Sequence, residues 1–155
     1  MKTPYAIPDF YTYDAQGNRK TKADLLGQYV VLYFYPKSLT PGCTQEALDF
    51  QRYLPEFQKL GCRVVGVSRD SPESQKKFKD KHAFLFELWS DKEGTLCDAL
   101  AVWKEKSLFG KTFLGMERST FLIDPKGMVR NEWRKVKVKG HAEAVLAKMQ
   151  EHVAS

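Results

Sequence analysis

The residue best suited to covalent chemistry is Cys43, which ends the run Thr40-Pro41-Gly42-Cys43 at the predicted start of a helix. A helix N-terminus offers unpaired backbone N–H groups and the positive end of the helix dipole, and both favour a thiolate over a thiol. The thiolate is the form of cysteine that attacks electrophiles. Because a cysteine between Pro41-Gly42 and Thr44 does not continue a core-facing pattern, we expect Cys43 to be reactive rather than structural.

The other two cysteines are less suited to covalent chemistry. Cys62 opens a valine-rich predicted strand, and Cys97 lies in a short predicted helix between Leu96 and Leu100. Buried cysteine is usually a small inert hydrophobe, so we expect both in the core. Three cysteines at wide spacing, with no Cys-x-x-Cys and no histidine ligand pattern, predict neither a disulfide framework nor a structural zinc site. They favour a reducing compartment.

The elements that must position Cys43 alternate between strands and helices. The apolar run Val30–Tyr35 predicts a strand buried on both faces, and Cys62–Ser68 predicts a second. Between them, apolar residues recur at steps of three and four from Ala47 to Phe57, which is the spacing of one helix face. We expect Pro55 to kink or restart this helix.

The rest of the chain continues the alternation. The patterns predict a helix opening at Ser71-Pro72, a strand at Phe84–Leu88, a helix at Glu93–Ala101, a hairpin around the turn Asp124–Gly127, and a helix from Ala142 to Val153. This order implies a three-layer α/β sandwich with a mixed central sheet flanked by helices. The 155 residues, 43% of them hydrophobic, fit one domain over 1–155. Sites in such sheets form at the carboxyl edge, where Cys43 follows the first buried strand.

The segment around Cys43 resembles a known family. The sequence PKSLTPGC at residues 36–43 is similar to the P-x-x-x-T-x-x-C signature of peroxiredoxins. The longer run from Tyr33 to Ala47 resembles the bacterioferritin comigratory protein, or peroxiredoxin Q, subfamily, as do residues 65–71 and 118–124. The resemblance spans nearly the whole chain. It implies a thioredoxin-like fold and a thiol-dependent peroxidase that reduces hydrogen peroxide and organic hydroperoxides without a prosthetic cofactor.

The resemblance also implies roles for five residues. Cys43 would be the peroxidatic cysteine, Thr40 would hold peroxide and thiolate through its hydroxyl, and Pro36 would wall the pocket. Arg118 would place a guanidinium beside Cys43, and Glu46 would orient that arginine. Attack on an O–O bond needs a thiolate and donors for the charge on the leaving oxygen, and arginine supplies donors without becoming a competing base.

Taken singly, three of these residues have simpler interpretations. Arg118 could be a surface arginine paired with Glu117, since arginines are mostly exposed. Thr40 could be only a turn residue, and Glu46 only an acid favoured in the first turn of a helix. The five positions together favour the site.

The sequence departs from the subfamily in how the oxidised cysteine is resolved. Many members carry a resolving cysteine five positions after the peroxidatic one, where this chain has Leu48, and others carry it in the next helix. No cysteine occurs between Ser71 and His82. Two alternatives remain: an external thiol such as glutathione, glutaredoxin or thioredoxin, or else Cys97, Cys62 or a second chain. We favour the external thiol, a one-cysteine mechanism. Gln75, where relatives often have histidine, is a further departure to which we attach no consequence.

Composition narrows the partners. The net charge of +6 is modest, and the basic run Arg134–Lys139 is predicted as a strand edge blunted by lysines rather than an anion-binding patch. No nucleic-acid module and no apolar run of membrane-spanning length is found, and Met1–Phe10 lacks the apolar core of a signal peptide. We therefore expect a cytoplasmic protein without nucleic-acid or membrane partners, and the subfamily resemblance implies a monomer.

Two other functions stay open at this point. A cysteine hydrolase would need one of the three histidines, His82, His141 or His152, as a base near Cys43. A redox-sensing or holdase-like module would oxidise at Cys43 without turnover.

Overall fold

The computed structural model describes residues 2–154. Met1 and Ser155 lie outside the described residues. They are the two ends of the predicted domain, and Met1 also begins the segment considered for a signal peptide. The strands are β1 Tyr5–Ala6, β2 Tyr11–Asp14, β3 Arg19–Thr21, β4 Tyr29–Phe34, β5 Cys62–Ser68, β6 Glu87–Ser90, β7 Trp103–Leu108, β8 Lys111–Met116, β9 Ser119–Ile123 and β10 Met128–Trp133. The helices are α1 Pro41–Lys59, α2 Pro72–His82, α3 Thr95–Ala99 and α4 His141–Ala154, with a 3₁₀ turn over Lys22–Leu25.

Eight of these strands form one mixed sheet in the order β1-β10-β9-β4-β5-β6-β2-β3. The three central strands β4, β5 and β6 are parallel, and β9 runs antiparallel to β4. Parallel neighbours need crossover connections, which α1 and α2 supply. The predicted mixed sheet is confirmed, and the carboxyl end of β4 leads directly to α1.

The core has two layers, one on each face of this sheet. Tyr33 of β4 points towards α1, α2 and α4, whereas Leu32 points towards α3 and the 3₁₀ turn. Tyr33 stacks on Phe50 of α1 with ring centroids 4.5 Å apart. A β-carbon at Gly66 of β5 would lie 2.8 Å from the Tyr33 ring, so this strand needs glycine there. The predicted three-layer, thioredoxin-like α/β sandwich is confirmed.

The prediction that Pro55 would restart α1 is wrong, because the helix runs without interruption from Pro41 to Lys59, whereas the predicted kink stays a prediction. Pro55 lies on the exposed side, where water can bond the carbonyl that loses its N–H partner. Leu54 and Phe57 beside it are buried and hold the helix against the core.

Two other boundaries differ from the sequence prediction. The strand predicted at Phe84–Leu88 begins only at Glu87, because Ala83 ends α2 in the left-handed conformation and the next three residues connect helix to strand. The helix predicted over Glu93–Ala101 is confined to α3, whose N-cap Gly94 has φ 81°.

The basic run Arg134–Lys139 is not a strand edge. β10 ends at Trp133, and Lys135 adopts a left-handed φ of 48° that turns the chain away from the sheet. Arg134 bonds back to the carbonyls of Leu100 and Ala101. The run is a loop whose lysines are exposed.

The sequence analysis also missed an element. β7 and β8 form a separate two-stranded hairpin over residues 103–116. The base of this hairpin lies beside the candidate site, as described below. Within residues 2–154, no helix is both long enough and apolar enough to cross a bilayer.

Candidate active site

Cys43 lies in the first turn of α1, which follows the carboxyl end of β4 after the loop 35–40, as predicted. Its side chain is only 1% exposed and belongs to the same buried helix face as Ala47 and Phe50. The expectation that Cys43 would not continue a core-facing pattern is therefore wrong. The surrounding side chains therefore cover nearly all of this residue.

Arg118 connects Cys43 to a buried carboxylate. Its Nη2 lies 3.4 Å from Cys43 Sγ, and its Nη1 donates to Glu46 Oε1 at 2.6 Å. The sheet explains this placement, because Phe34 at the end of β4 lies opposite Ser119, the residue after Arg118. Cys43 and Glu46 are three residues apart on one helix, so they present the same face to the guanidinium. The simpler interpretation of Arg118, an ion pair with Glu117, is not what the geometry gives.

The electrostatics of this group depend on burial. Burial raises the pKa of Glu46 to about 7, although the Arg118 guanidinium opposes the rise. Burial lowers the pKa of Arg118, but the neighbouring Glu46 and Cys43 more than offset this and raise it above its usual value. Arg118 therefore stays protonated and keeps its N–H groups aimed at the sulfur. Glu46 Oε2 has no hydrogen-bond partner among the described residues, so Arg118 alone balances this buried carboxyl.

Thr40 is the N-cap residue of α1, one turn before Cys43. Its hydroxyl donates to the Lys37 carbonyl at 2.9 Å, and no hydrogen bond joins the side chains of Thr40 and Cys43 within the described residues. The hydroxyl oxygen keeps its lone pairs free to accept while it donates. Thr40 therefore lies one turn before the cysteine and directs its hydroxyl hydrogen to the Lys37 carbonyl.

Pro36 and Arg118 line a cavity of about 390 Å³. Its remaining lining residues come from β7 and from the segments on either side of β9 and β10: Lys104, Glu105, Lys106, Glu117, Lys135 and Val136. The cavity is larger than hydrogen peroxide needs.

Comparison with known proteins identifies the family. A sequence model of the AhpC/TSA family matches residues 5–132. Peroxiredoxin Bcp of Xanthomonas campestris is 49% identical over 152 residues, which are 98% of this chain and 95% of the relative. The chain belongs to the peroxiredoxins of the AhpC/TSA family.

Solved structures agree on the subfamily. A mutant of Xylella fastidiosa PrxQ superposes with a TM-score of 0.91 at 42% identity, over 98% of this chain and 97% of that one. The Xanthomonas campestris bacterioferritin comigratory protein, studied for alkyl peroxide reduction, gives 0.89 at 46% identity over 96% and 99%. Peroxiredoxins are thiol-dependent peroxidases that act through a cysteine and an external thiol, without a prosthetic group.

The other two cysteines of this peroxiredoxin lie far from Cys43. Cys97 packs in the core layer on the opposite face of the sheet, 3.9 Å from the Met116 sulfur. Cys62 begins β5, about 16 Å along that strand from Val67, which lies opposite the end of β4. Burial raises the pKa of Cys62 to about 12 and, together with Asp91, raises that of Cys97 well above its usual range. Both remain thiols at neutral pH, as the core prediction requires.

His141 is the histidine of this peroxiredoxin closest to the site in the fold, and it is occupied elsewhere. Its Nε2 is 2.7 Å from Thr120 Oγ1, and its ring packs edge-on against Phe50 and Trp133. Burial lowers the pKa of His141 to about 4, so the ring is neutral at pH 7. No histidine hydrogen bond to Cys43 occurs within residues 2–154, so a cysteine hydrolase would lack its base.

Gln75, to which the sequence analysis attached no consequence, ties together the loop that leads to Cys43. It is fully buried in α2, accepts from Tyr35 at 2.5 Å and from Ser38 at 2.8 Å, and donates to the Trp89 carbonyl. Ser38 also donates to Asp70 from both its backbone and its hydroxyl. This network anchors the 36–40 loop to α2 and β6. A polar residue on the otherwise apolar side of a helix, near Phe78, was the available signal.

We predict that Gln75→Leu lowers the free energy of unfolding by roughly 2–4 kcal/mol, because the buried Tyr35 hydroxyl and the Trp89 carbonyl lose their bonds to Gln75, and the Ser38 hydroxyl keeps only Asp70. Urea denaturation followed by circular dichroism measures this. Gln58→Leu, on the exposed side of α1, is the matched control and should change stability by less than about 0.5 kcal/mol. Equal effects for the two variants would contradict the network.

Proposed function

We propose that this peroxiredoxin reduces hydroperoxides by a one-cysteine mechanism centred on Cys43. The Cys43 thiolate attacks the terminal oxygen of the peroxide, an S–O bond forms and the O–O bond breaks. The leaving oxygen departs as hydroxide or alkoxide and is protonated to water or an alcohol, while the sulfur becomes a sulfenic acid. The observation that carries the proposal is the Arg118 guanidinium, 3.4 Å from the sulfur and fixed from behind by a buried carboxylate.

Each remaining residue has a role that its position supports. Arg118 stabilises the thiolate and donates to the peroxide oxygens as charge moves onto the leaving oxygen. Glu46 positions Arg118 and keeps it from rotating into the cavity. The Thr40 hydroxyl, at the N-cap, accepts a hydrogen bond from the O–H group of the peroxide, and Pro36 walls the cavity without adding an N–H that would hold water.

The sulfenic acid is resolved by an external thiol. The incoming thiolate attacks the Cys43 sulfur, hydroxide leaves as water, and a mixed disulfide forms. A second thiol then releases Cys43 and carries away the disulfide. Bridging within the chain needs Cα atoms within about 7 Å, and the positions of Cys97 across the sheet and Cys62 at its far end argue against both as resolving residues.

The double variant Cys62→Ser, Cys97→Ser tests this mechanism. We expect its peroxide turnover with glutathione plus glutaredoxin, or with thioredoxin, to stay within about twofold of the wild-type rate, since neither thiol takes part in the chemistry. An assay that couples peroxide reduction to the oxidation of NADPH measures this turnover rate. A fall of more than about tenfold, with an unchanged circular dichroism spectrum, would point to an internal resolving cysteine.

The same assay separates the enzyme from a redox-sensing module. Turnover of many equivalents of peroxide per chain supports catalysis, whereas consumption that stops after one equivalent indicates a sensor.

We propose alkyl hydroperoxides as substrates beside hydrogen peroxide, which the size of the cavity supports. A cytoplasmic monomer is proposed in turn, supported by three unpaired cysteines that suit a reducing compartment; analytical ultracentrifugation tests the monomer.

A further inference from the structure

The tip of the β7–β8 hairpin exposes apolar side chains that no part of the fold uses. Phe109 is 95% exposed, and Leu108, Phe113 and Leu114 are 56%, 47% and 63% exposed. Single exposed apolar residues are ordinary, but Leu108, Phe109 and Phe113 cluster at the tip, with Leu114 on the other face of the hairpin, and such patches mark interaction sites. Folding of this chain does not account for them.

Phe109 is also unfavourable where it stands. It has φ 51° and Gly110 has φ 78°, so both central residues of the two-residue turn are left-handed. Such turns favour Asn-Gly, because a bulky side chain in this conformation clashes with its own backbone. Neither local conformation nor packing explains a phenylalanine here.

The charges around the patch indicate the chemistry of that contact. In the hairpin register, Lys106 lies opposite Phe113 and Leu108 lies opposite Lys111, so these four side chains share one face. Neither lysine forms an ion pair among the described residues. The face therefore combines exposed aromatic and aliphatic groups with unpaired cations. It repels a second copy of a chain whose net charge is +6, and it complements an acidic surface with an apolar centre.

The position of the hairpin beside the cavity indicates the function of such a partner. Lys104 and Lys106 at its base line the cavity that Pro36 and Arg118 also line. Leu108 lies about 13 Å along β7 from Lys104, and a standard interface covers about 800 Å² per partner. A protein seated on the hairpin would thus cover the mouth of this cavity, which is lined by Arg118, the residue whose guanidinium lies beside the Cys43 sulfur.

We propose that the β7–β8 hairpin, centred on Phe109, is the docking surface for an acidic protein thiol reductant that resolves oxidised Cys43. The inference rests on the proposed one-cysteine function and names the partner surface for its second half. Phe109 anchors in an apolar patch beside the reductant's thiol, and the hairpin lysines meet its carboxylates.

The test compares two reductants. With a bacterial thioredoxin chosen for its acidic isoelectric point, Phe109→Asn is expected to raise the KM for thioredoxin about tenfold, as loss of an interface anchor does. Turnover driven by dithiothreitol should not change. Asparagine suits the left-handed turn, so the variant is expected to fold at least as well as the wild type. Leu85→Asn, which changes an exposed apolar residue before the start of β6, is the matched control and should leave both rates unchanged.

Charge provides an independent arm. Lys111→Glu should raise the KM for thioredoxin and weaken its dependence on ionic strength, because one attractive contact becomes repulsive. Lys126→Glu, in the β9–β10 turn at the far end of the sheet, makes the same charge change and should have no such effect.

The outcomes are distinguishable. If dithiothreitol supports no turnover in the wild type, the proposed function itself fails. If dithiothreitol works and Phe109→Asn leaves the KM for thioredoxin unchanged, the docking surface is overturned. Two further results would also overturn it if the KM for thioredoxin stays constant in Phe109→Asn. One is binding of the wild type to phosphatidylglycerol vesicles that the variant loses, and the other is a wild-type dimer that the variant loses. The patch would then bind lipid or another copy of the chain.

Discussion

Cys43→Ser is expected to lower thiol-dependent peroxide turnover by at least about a thousandfold, as loss of a catalytic nucleophile does. A serine hydroxyl is not ionised at neutral pH and does not attack an O–O bond, while Arg118 and Glu46 would remain in place. Consumption of hydrogen peroxide at pH 7, in the presence of thioredoxin, thioredoxin reductase and NADPH, measures the effect.

The matched control is Cys97→Ser, which makes the same chemical change in the other core layer. It should cost stability, because a hydroxyl replaces a fully buried thiol, but should leave turnover within about twofold. Urea denaturation of both variants separates folding from chemistry. A Cys43→Ser enzyme that keeps a substantial fraction of the wild-type rate would remove Cys43 from the mechanism.

Arg118→Ala is expected to have the second largest effect, because the guanidinium acts on both catalysis and the core. Loss of the donor beside the Cys43 sulfur should lower kcat/KM for peroxide by about 10²-fold. The variant also leaves Glu46 buried without a counter-charge, which should cost roughly 3 kcal/mol of stability where the carboxyl is ionised. Stopped-flow oxidation and urea denaturation measure the two effects separately.

The stability cost should depend on pH with a definite sign. The pKa of Glu46 is about 7 in the folded protein and close to 4.5 when unfolded. The folded state therefore binds the extra proton between these values, and the contribution of Glu46 to stability falls as pH rises from 4.5 to 7. Removal of Arg118 raises this pKa further, so the penalty of Arg118→Ala should be larger at pH 8 than at pH 6. A pH-independent penalty would contradict the buried ion pair.

A double variant separates the roles of the pair. Arg118→Ala with Glu46→Gln removes the uncompensated charge, so much of the lost stability should return while kcat/KM stays low. Recovery of peroxide reactivity together with stability would mean that Arg118 supports only the fold. In the proposed mechanism, the amide introduced at position 46 does not substitute for the Arg118 guanidinium beside the Cys43 sulfur, so the reactivity towards peroxide should stay low.

The parts of this enzyme that could be predicted from sequence are those with a strong local signal. The apolar run Val30–Tyr35 gave a strand buried on both faces because both layers of the core pack against it. The signature at residues 36–43 located the site, and resemblance alone brought in Arg118, 75 residues away. No spacing rule links Arg118 to Cys43, because only the pairing of β9 with β4 joins them.

What was missed depends on contacts that a local pattern does not carry. The β7–β8 hairpin is exposed along much of both faces, so residues 103–116 show no alternation of apolar and polar residues. The burial of Cys43 was overlooked although Ala47 and Phe50 follow it at helical spacing. The role of Gln75 depends on its hydrogen bonds with Ser38 and Trp89, which lie in a loop and a strand far from it in sequence or in a different element.

The most direct measurement is to treat the reduced protein with one equivalent of peroxide, trap sulfenic acid with dimedone, and map the products by mass spectrometry. One oxygen is transferred per molecule, and we expect the adduct on Cys43 with Cys62 and Cys97 still reduced. A disulfide joining Cys43 to either of them, or an adduct located elsewhere, would contradict oxidation at Cys43 with resolution by an external thiol.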